Sequence, residues 1–199
     1  MEKRNRTTTL LVMTALMTAV TTLCTVLLKI PVDAECYLHL GDAVLFLCVM
    51  MLPRKYACFA APVGAMLADL MGGLAFWMPW TFCIKLIMVL VSGAFIDMAK
   101  KSCDSSQLTG DSSQPKNSSA PRRIAGVPVA EFIGLLLASL LGTAGYFFAE
   151  RILFGNWISA ATCVPFNLIQ TCLGSIIAVI VSNSLSKSTM KEFMYYRRG

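Results

Sequence analysis

Six apolar stretches, separated by short polar segments, decide what this chain can fold into. A helix that crosses a membrane needs about 20 mostly apolar residues, and every stretch except the second approaches that length. The stretches are residues 9–28, 42–52, 57–74, 79–98, 127–150 and 162–185. They predict an all-α integral membrane protein with six transmembrane helices. Segment 42–52 spans only if its polar start lengthens it or if neighbouring helices enclose it.

The distribution of charge supports a membrane class and argues against nucleic acid as a partner. Charged residues make up 14% of the chain, against roughly 25% in an ordinary soluble domain. The net charge of +6 comes from basic residues spread between the apolar stretches. A nucleic-acid-binding surface gathers such residues on one soluble face. The expected surroundings of this chain are therefore a lipid bilayer.

Basic residues also predict the orientation of the chain. They precede the first stretch, separate the second from the third and the fourth from the fifth, and follow the sixth, whereas only Lys29 and Arg151 fall in the opposite loops. Because cytoplasmic loops carry the excess of Lys and Arg, both termini are predicted to be cytoplasmic. Residues 102–123, rich in Ser, Gln, Asn, Pro and Lys, predict a flexible cytoplasmic linker within a single domain, 1–199.

Two ionisable residues lie inside the apolar stretches, where they are costly and usually face a partner or a cavity. Asp69 lies shortly before the outer end of the third helix, and Lys85 lies shortly after the outer start of the fourth. At about 1.5 Å per residue, both sit roughly 7 to 9 Å below the outer surface. They are expected to form an ion pair, which either only locks the hairpin or also binds a polar substrate.

More polar groups occur at the same depth. His39 and Asp42 stand at the outer start of the second helix, where Asp42 is either an N-cap or a site residue. Asn167 and Gln170 share one face of the sixth helix and either join helices or bind substrate. The outer aromatics Trp77 and Trp80 belong either to an interfacial belt or to a site that stacks on a heteroaromatic ring. The pattern predicts a cup that opens outward and is closed below.

Several chemistries are disfavoured by what the chain lacks. One histidine and no Cys-x-x-Cys motif argue against a metal site, and the sequence contains no phosphate-binding loop motif. No cofactor and no catalytic residue are predicted, and any ATP-driven step needs other subunits. Cys36 and Cys163 both lie near the predicted outer surface. The sequence therefore leaves two alternatives, a disulfide bond between them or two free thiols. A self-sufficient secondary transporter remains the alternative function.

One face of the first helix is suited to close contact with another membrane helix. Ala15 and Ala19 are four residues apart, and small residues at this spacing let two helices approach closely. The contact is either with the chain's own bundle or with another subunit.

Four stretches, in order, carry a resemblance to a known family. They are "YLHLGDAVLFL", "APVGAMLADLMGG", "WMPWTFCIKLIMVLVSG" and "PFNLIQTCLGSIIA". Together with six helices and cytoplasmic termini, they resemble the substrate-binding S components of energy-coupling factor (ECF) transporters, in particular the riboflavin-transporter-like group. Matching positions include Gly41, Asp42, Asp69, Lys85, Asn167 and Gln170, whereas His39, Trp77, Trp80 and Trp157 would set the specificity of this chain.

The resemblance implies a function and a set of partners. A water-soluble vitamin or precursor would bind in an outward-facing pocket formed by the loop after helix 1 and by helices 4 to 6. A transmembrane coupling subunit would dock on the alanine motif, here Ala15 and Ala19, and two cytoplasmic ATPases would power uptake. The implied location is the bacterial plasma membrane, and the S component would topple in the membrane to release its cargo.

Overall fold

A computed structural model describes residues 2–31, 36–108, 123–124 and 127–187. This part of the chain contains six α-helices and two short antiparallel hairpins, in which β1 pairs with β2 and β3 with β4. A single 3₁₀ turn, Ala75–Trp77, joins the third and fourth helices. The elements are α1 Glu2–Leu27, β1 Ile30–Pro31, β2 Tyr37–Leu38, α2 Gly41–Met51, α3 Arg54–Met71, α4 Met78–Leu108, β3 Arg123–Ile124, β4 Val127–Pro128, α5 Val129–Phe154 and α6 Trp157–Lys187.

The predicted class, a multi-pass membrane protein built of helices, is confirmed. Four helices, α1, α4, α5 and α6, are long and apolar enough to cross a bilayer. The third helix has a suitable length but carries Arg54, Lys55 and Asp69, which lower its hydropathy. Six spans and cytoplasmic termini stay predictions.

The second apolar stretch forms a helix that is enclosed by protein. Eleven residues extend about 16 Å at 1.5 Å per residue, roughly half the thickness of the hydrocarbon core. Leu45, Phe46, Cys48 and Val49 are almost completely buried, and α2 contacts α1, α3, α4 and α6. Neighbouring helices therefore cover this apolar helix on all sides, as a helix without a polar face requires.

Two glycines allow helices to approach closely. A Cβ atom on Gly64 of α3 would lie 2.7 Å from the backbone oxygen of Thr18 in α1, and the Gly64 oxygen accepts a hydrogen bond from Thr22 at 2.9 Å. A Cβ atom on Gly174 of α6 would lie 2.9 Å from the backbone nitrogen of Ala43 in α2. These contacts fix α1 against α3 and α6 against α2.

The two ends of the bundle differ. The first end, which we call the cavity end, contains the last turns of α1, α3 and α5, the first turns of α2, α4 and α6, and the β1–β2 hairpin. At the opposite end, the exposed side chains of Arg54 and Asp97 form an ion pair with a nitrogen–oxygen distance of 2.6 Å. The fourth helix continues to Leu108, so the start of the predicted 102–123 linker is helical, and residues 109–122 lie outside the described part.

Candidate functional site

A cavity of about 520 Å³, counting the space that is open to solvent, lies at the cavity end of the bundle. Its walls come from the loop before α2 and from α1, α3, α4, α5 and α6. The lining residues are Thr25, Cys36, Tyr37, His39, Ala65, Asp69, Trp77, Thr81, Lys85, Tyr146, Glu150, Cys163, Asn167 and Gln170.

A buried ion pair lies at the base of this cavity. The Lys85 ammonium donates a short hydrogen bond to Oδ1 of Asp42, and both side chains are almost fully buried. The second carboxylate oxygen of Asp42 accepts a hydrogen bond of 2.8 Å from the Gln170 amide. The Lys85 ammonium also faces the Tyr146 ring, 5.0 Å from its centroid. These contacts join α2, α4, α5 and α6 through charge and hydrogen bonds.

Two sequence-based interpretations are wrong. The ion pair expected between Asp69 and Lys85 does not form, because Asp42 of α2 occupies the position beside the ammonium. Nor does Asp42 act as the N-cap of α2: Leu40 holds that position, and no side chain caps the helix. The carboxylate of Asp42 points instead toward Lys85 and Gln170, which lie on other helices.

His39 links the loop before α2 to α6. Its backbone N–H donates to the side-chain oxygen of Gln170 at 2.9 Å, while the Gly41 backbone N–H donates to Nδ1 of the imidazole at 3.1 Å. Burial lowers the pKa of His39 to about 4, so the ring is neutral at pH 7. The other ring nitrogen, Nε2, lies 3.4 Å from the side-chain amide nitrogen of Gln170, so both nitrogens of the imidazole face groups of the protein itself, one in the loop and one on α6.

The buried polar atoms of the site that have no hydrogen-bond partner within the protein include Oδ2 of Asp69, on α3, and Nδ2 of Asn167, on α6. Both atoms are buried, and the Asp69 residue as a whole is 6% exposed. Leaving such a group unsatisfied costs about 1 to 3 kcal/mol. An unpaired acceptor and an unpaired donor thus belong to the same cavity.

Aromatic rings form part of the wall. Trp77 is buried and lies with its ring centroid 6.1 Å from that of Tyr146 and 6.1 Å from that of Phe154. Trp80 packs partly buried against the hydrophobic core and is not among the residues that line the cavity. Trp157 is 53% exposed and lies beneath the Arg151 guanidinium. Of the three tryptophans, only Trp77 therefore faces the cavity.

A disulfide bond fastens the loop before α2 to α6. Cys36 and Cys163 are bonded, with their Cα atoms 5.6 Å apart, and both residues line the cavity. The two cysteines are separated by 127 residues in the sequence. The bond holds the β1–β2 hairpin and His39 over the polar groups of α6, so the loop is a fixed part of the cavity wall.

Replacing both cysteines by serine, in the variant Cys36→Ser/Cys163→Ser, is expected to lower the stability of the protein by about 2 to 4 kcal/mol. The physical reason is that the bond restricts the unfolded chain more than the folded one. Unfolding in detergent, with and without a reductant, measures the effect. Reductant should destabilise the natural protein and leave the double variant unchanged, while Cys58→Ser is the control. Alkylation of Cys36 and Cys163 in unreduced, denatured protein would contradict the bond.

Several cavity residues were not singled out from the sequence. Tyr37 and Tyr146 supply aromatic surface, and Glu150 supplies a second carboxylate to the lining, in addition to Asp69. Tyr146 and Glu150 were recognisable in principle, because they lie near the end of α5 at the depth of Lys85 on α4. Among the described residues, no group of three or more His, Cys, Asp or Glu is arranged to hold a metal ion.

Six of the eight residues predicted to bind substrate line the same cavity: His39, Asp69, Trp77, Lys85, Asn167 and Gln170. Asp42 adjoins the cavity through its bonds to Lys85 and Gln170, and Trp80 lies apart. Contact with a substrate stays a prediction for each of them.

Part of the sequence matches a known protein family. No curated protein sequence matches the chain closely enough to be counted as a relative. Residues 5–112 match the family described as "ECF-type riboflavin transporter, S component". That segment contains α1 from residue 5 onward and the whole of α2, α3 and α4, with Asp42, Asp69 and Lys85, while Asn167 and Gln170 lie beyond it. Because the match spans more than half of the sequence, the chain belongs to the family of ECF-type riboflavin transporter S components.

Proposed function

We propose that this protein is the substrate-binding subunit of an ATP-driven ECF importer. It captures a water-soluble vitamin or vitamin precursor at the outer face of the membrane, and compounds of the riboflavin type are the first candidates. A transmembrane coupling subunit and two cytoplasmic ATPases then deliver the cargo inward. In this proposal the cavity end faces outward, and both termini are cytoplasmic.

The observation that carries this proposal is the cavity, in a chain of this family. It lies at one end of the bundle, and its wall combines aromatic rings, the neutral imidazole of His39 and buried polar atoms without a hydrogen-bond partner, among them Oδ2 of Asp69 and Nδ2 of Asn167. Small-molecule sites have this composition: mostly apolar surface with a few polar groups that fix the orientation of the ligand. Toward the opposite end, the core around α2 is filled with apolar side chains, which suits capture rather than a continuous pore.

The surface of α1 supports the proposed coupling partner. Ala15 and Ala19 are exposed on the outside of the bundle, as are Val12 and Leu23. The other face of α1 holds buried threonines, of which Thr22 bonds to α3. The contact of the alanine pair with the chain's own bundle, one of the two alternatives, is therefore disfavoured. Exposed small residues on a membrane helix allow a second helix to pack closely.

Binding by the isolated protein tests the proposal. The chain, purified alone in detergent, is titrated with riboflavin and a panel of other water-soluble vitamins while tryptophan fluorescence is followed, because Trp77 lines the cavity. We expect one compound to bind in a one-to-one ratio, and Trp77→Phe to remove most of the fluorescence change.

The same titration has a clear negative outcome. Circular dichroism and gel filtration first establish that the sample is folded and monodisperse. Absence of binding by every compound of the panel to such a sample would overturn the capture function. Trp157→Phe is the matched control, since Trp157 is largely exposed and lies outside the cavity.

A further inference from the structure

The charges around the cavity restrict the chemistry of its ligand. Lys85 is the only cationic side chain among the described residues that line the cavity, and its ammonium is committed to Asp42. Lys29 lies nearby in the loop, with its ammonium 3.5 Å from the centre of the Tyr37 ring, and it is not part of the lining. A carboxylate or phosphate group on a ligand would therefore find, among the described lining residues, no cation other than the Lys85 ammonium, which Asp42 already holds.

An anionic ligand would also meet a negative neighbour. Asp69 lines the cavity, and its Oδ2 atom has no hydrogen-bond partner. Two like charges brought together in a poorly solvated site repel strongly, because the effective dielectric constant there is well below that of water. The same oxygen atom is stabilised by any N–H or O–H group that a ligand presents to it.

Asn167 favours a ligand that carries a hydrogen-bond acceptor. Its Nδ2 atom is a buried donor without a partner, and the residue lies on α6, across the bundle from α3. A ligand that places a carbonyl oxygen or a ring nitrogen near this amide satisfies it. Around these groups, Tyr37, His39 and Trp77 offer ring faces and edges, which suit a flat heteroaromatic ligand.

We propose that the site selects cargo without an anionic group: a heteroaromatic compound that donates a hydrogen bond to Asp69 and accepts one from Asn167. Phosphorylated or carboxylated forms of such a compound are rejected. This inference rests on the proposed capture function, and it narrows the cargo from vitamins in general to their uncharged or cationic forms.

Pairs of probes that differ in one anionic group test the selection. Riboflavin is compared with riboflavin 5′-phosphate, pyridoxine with pyridoxine 5′-phosphate, and nicotinamide with nicotinate, each by titration of the purified protein. For the pair that binds, the form without the anionic group is expected to bind at least tenfold more tightly. Equal affinity within a pair, or tighter binding of the anionic form, would overturn the inference while leaving the capture function in place. Absence of binding by all six probes and by the wider panel would overturn both.

The variant Asp69→Asn separates a ligand contact from a structural role. The change keeps the size of the side chain and removes its charge, so we expect weaker binding of the preferred form together with a smaller ratio between the two affinities of the pair. A merely structural role would weaken both forms alike. An unchanged ratio in a folded Asp69→Asn protein would therefore contradict the inference. Asp97→Asn is the matched control, because Asp97 undergoes the same change at the opposite end of the bundle.

Asn167→Leu tests the donor in the same way. This substitution keeps a similar volume and removes the amide, and it is expected to weaken binding of the preferred form about tenfold, since one lost hydrogen bond in a buried site is worth about 1.4 kcal/mol. Binding as tight as that of the natural protein would contradict the assigned role of Asn167.

Discussion

Replacing Lys85 by methionine is expected to lower the free energy of unfolding by about 3 to 5 kcal/mol, because removal of one partner leaves a buried charge without compensation. The Asp42 carboxylate would retain only the hydrogen bond from Gln170. Equilibrium unfolding in mixed detergent micelles, followed by circular dichroism, measures the change. Asp42→Asn should produce a loss of similar size, since it leaves the Lys85 ammonium buried without its partner.

The double variant distinguishes the charge pair from simple packing. Asp42→Asn/Lys85→Met contains neither charge, so it should regain most of the stability that each single variant loses. Arg54→Met is the matched control. It breaks the exposed pair with Asp97, and exposed pairs contribute about 1 kcal/mol or less. If Lys85→Met costs no more than Arg54→Met, the buried pair does not hold the helices together as described.

Replacing Ala15 and Ala19 by tryptophan is expected to abolish uptake while leaving capture intact. The two side chains point away from the bundle, so Ala15→Trp/Ala19→Trp should fold and bind cargo as the natural protein does. The larger side chains would hold a helix of the proposed coupling subunit away from α1, because close packing at such a face requires small residues. We expect vitamin uptake by cells that express the complete importer to fall more than tenfold.

The measurement has two parts and one control. Co-purification with the coupling subunit reports docking, and titration of the isolated variant reports capture. Leu140→Trp is the matched control, since Leu140 is 59% exposed on α5 and should alter neither. Normal uptake and normal co-purification of Ala15→Trp/Ala19→Trp would show that the coupling subunit docks elsewhere.

The helices and the depth of the polar residues could be predicted from the sequence, because both follow from the free energy of burying groups in a bilayer. Apolar runs located all six helices, but α1 begins seven residues before its predicted start at residue 9, and α4 continues ten residues beyond its predicted end at residue 98. Counting residues from the same end of each helix placed Asp69, Lys85 and Asn167 at one level, and they share a cavity. Hydropathy and helix rise were sufficient for these conclusions.

Which of the polar residues at that depth bond to one another could not be predicted from the sequence. Lys85 bonds to Asp42 rather than to Asp69 because α2 is enclosed by the other helices and turns its carboxylate toward α4. That rotation depends in part on Gly174, whose missing side chain allows α6 to approach the start of α2. Such a contact involves two segments that are far apart in the sequence. The hydropathy of either segment therefore does not predict it. For the same reason, the sequence did not distinguish a disulfide bond between Cys36 and Cys163 from two free cysteines.

The position of the first helix would couple ligand binding to docking in the proposed importer. Thr25 of α1 lines the cavity, whereas Ala15 and Ala19 of the same helix lie on the outer surface, so one rigid element borders both the ligand and the proposed coupling subunit. A shift of α1 on loading would change the affinity for that subunit. By thermodynamic linkage, the subunit must then change the affinity for the ligand by the same factor. Tight capture by the free protein and weak retention in the assembled importer would be two measurements of a single coupling free energy.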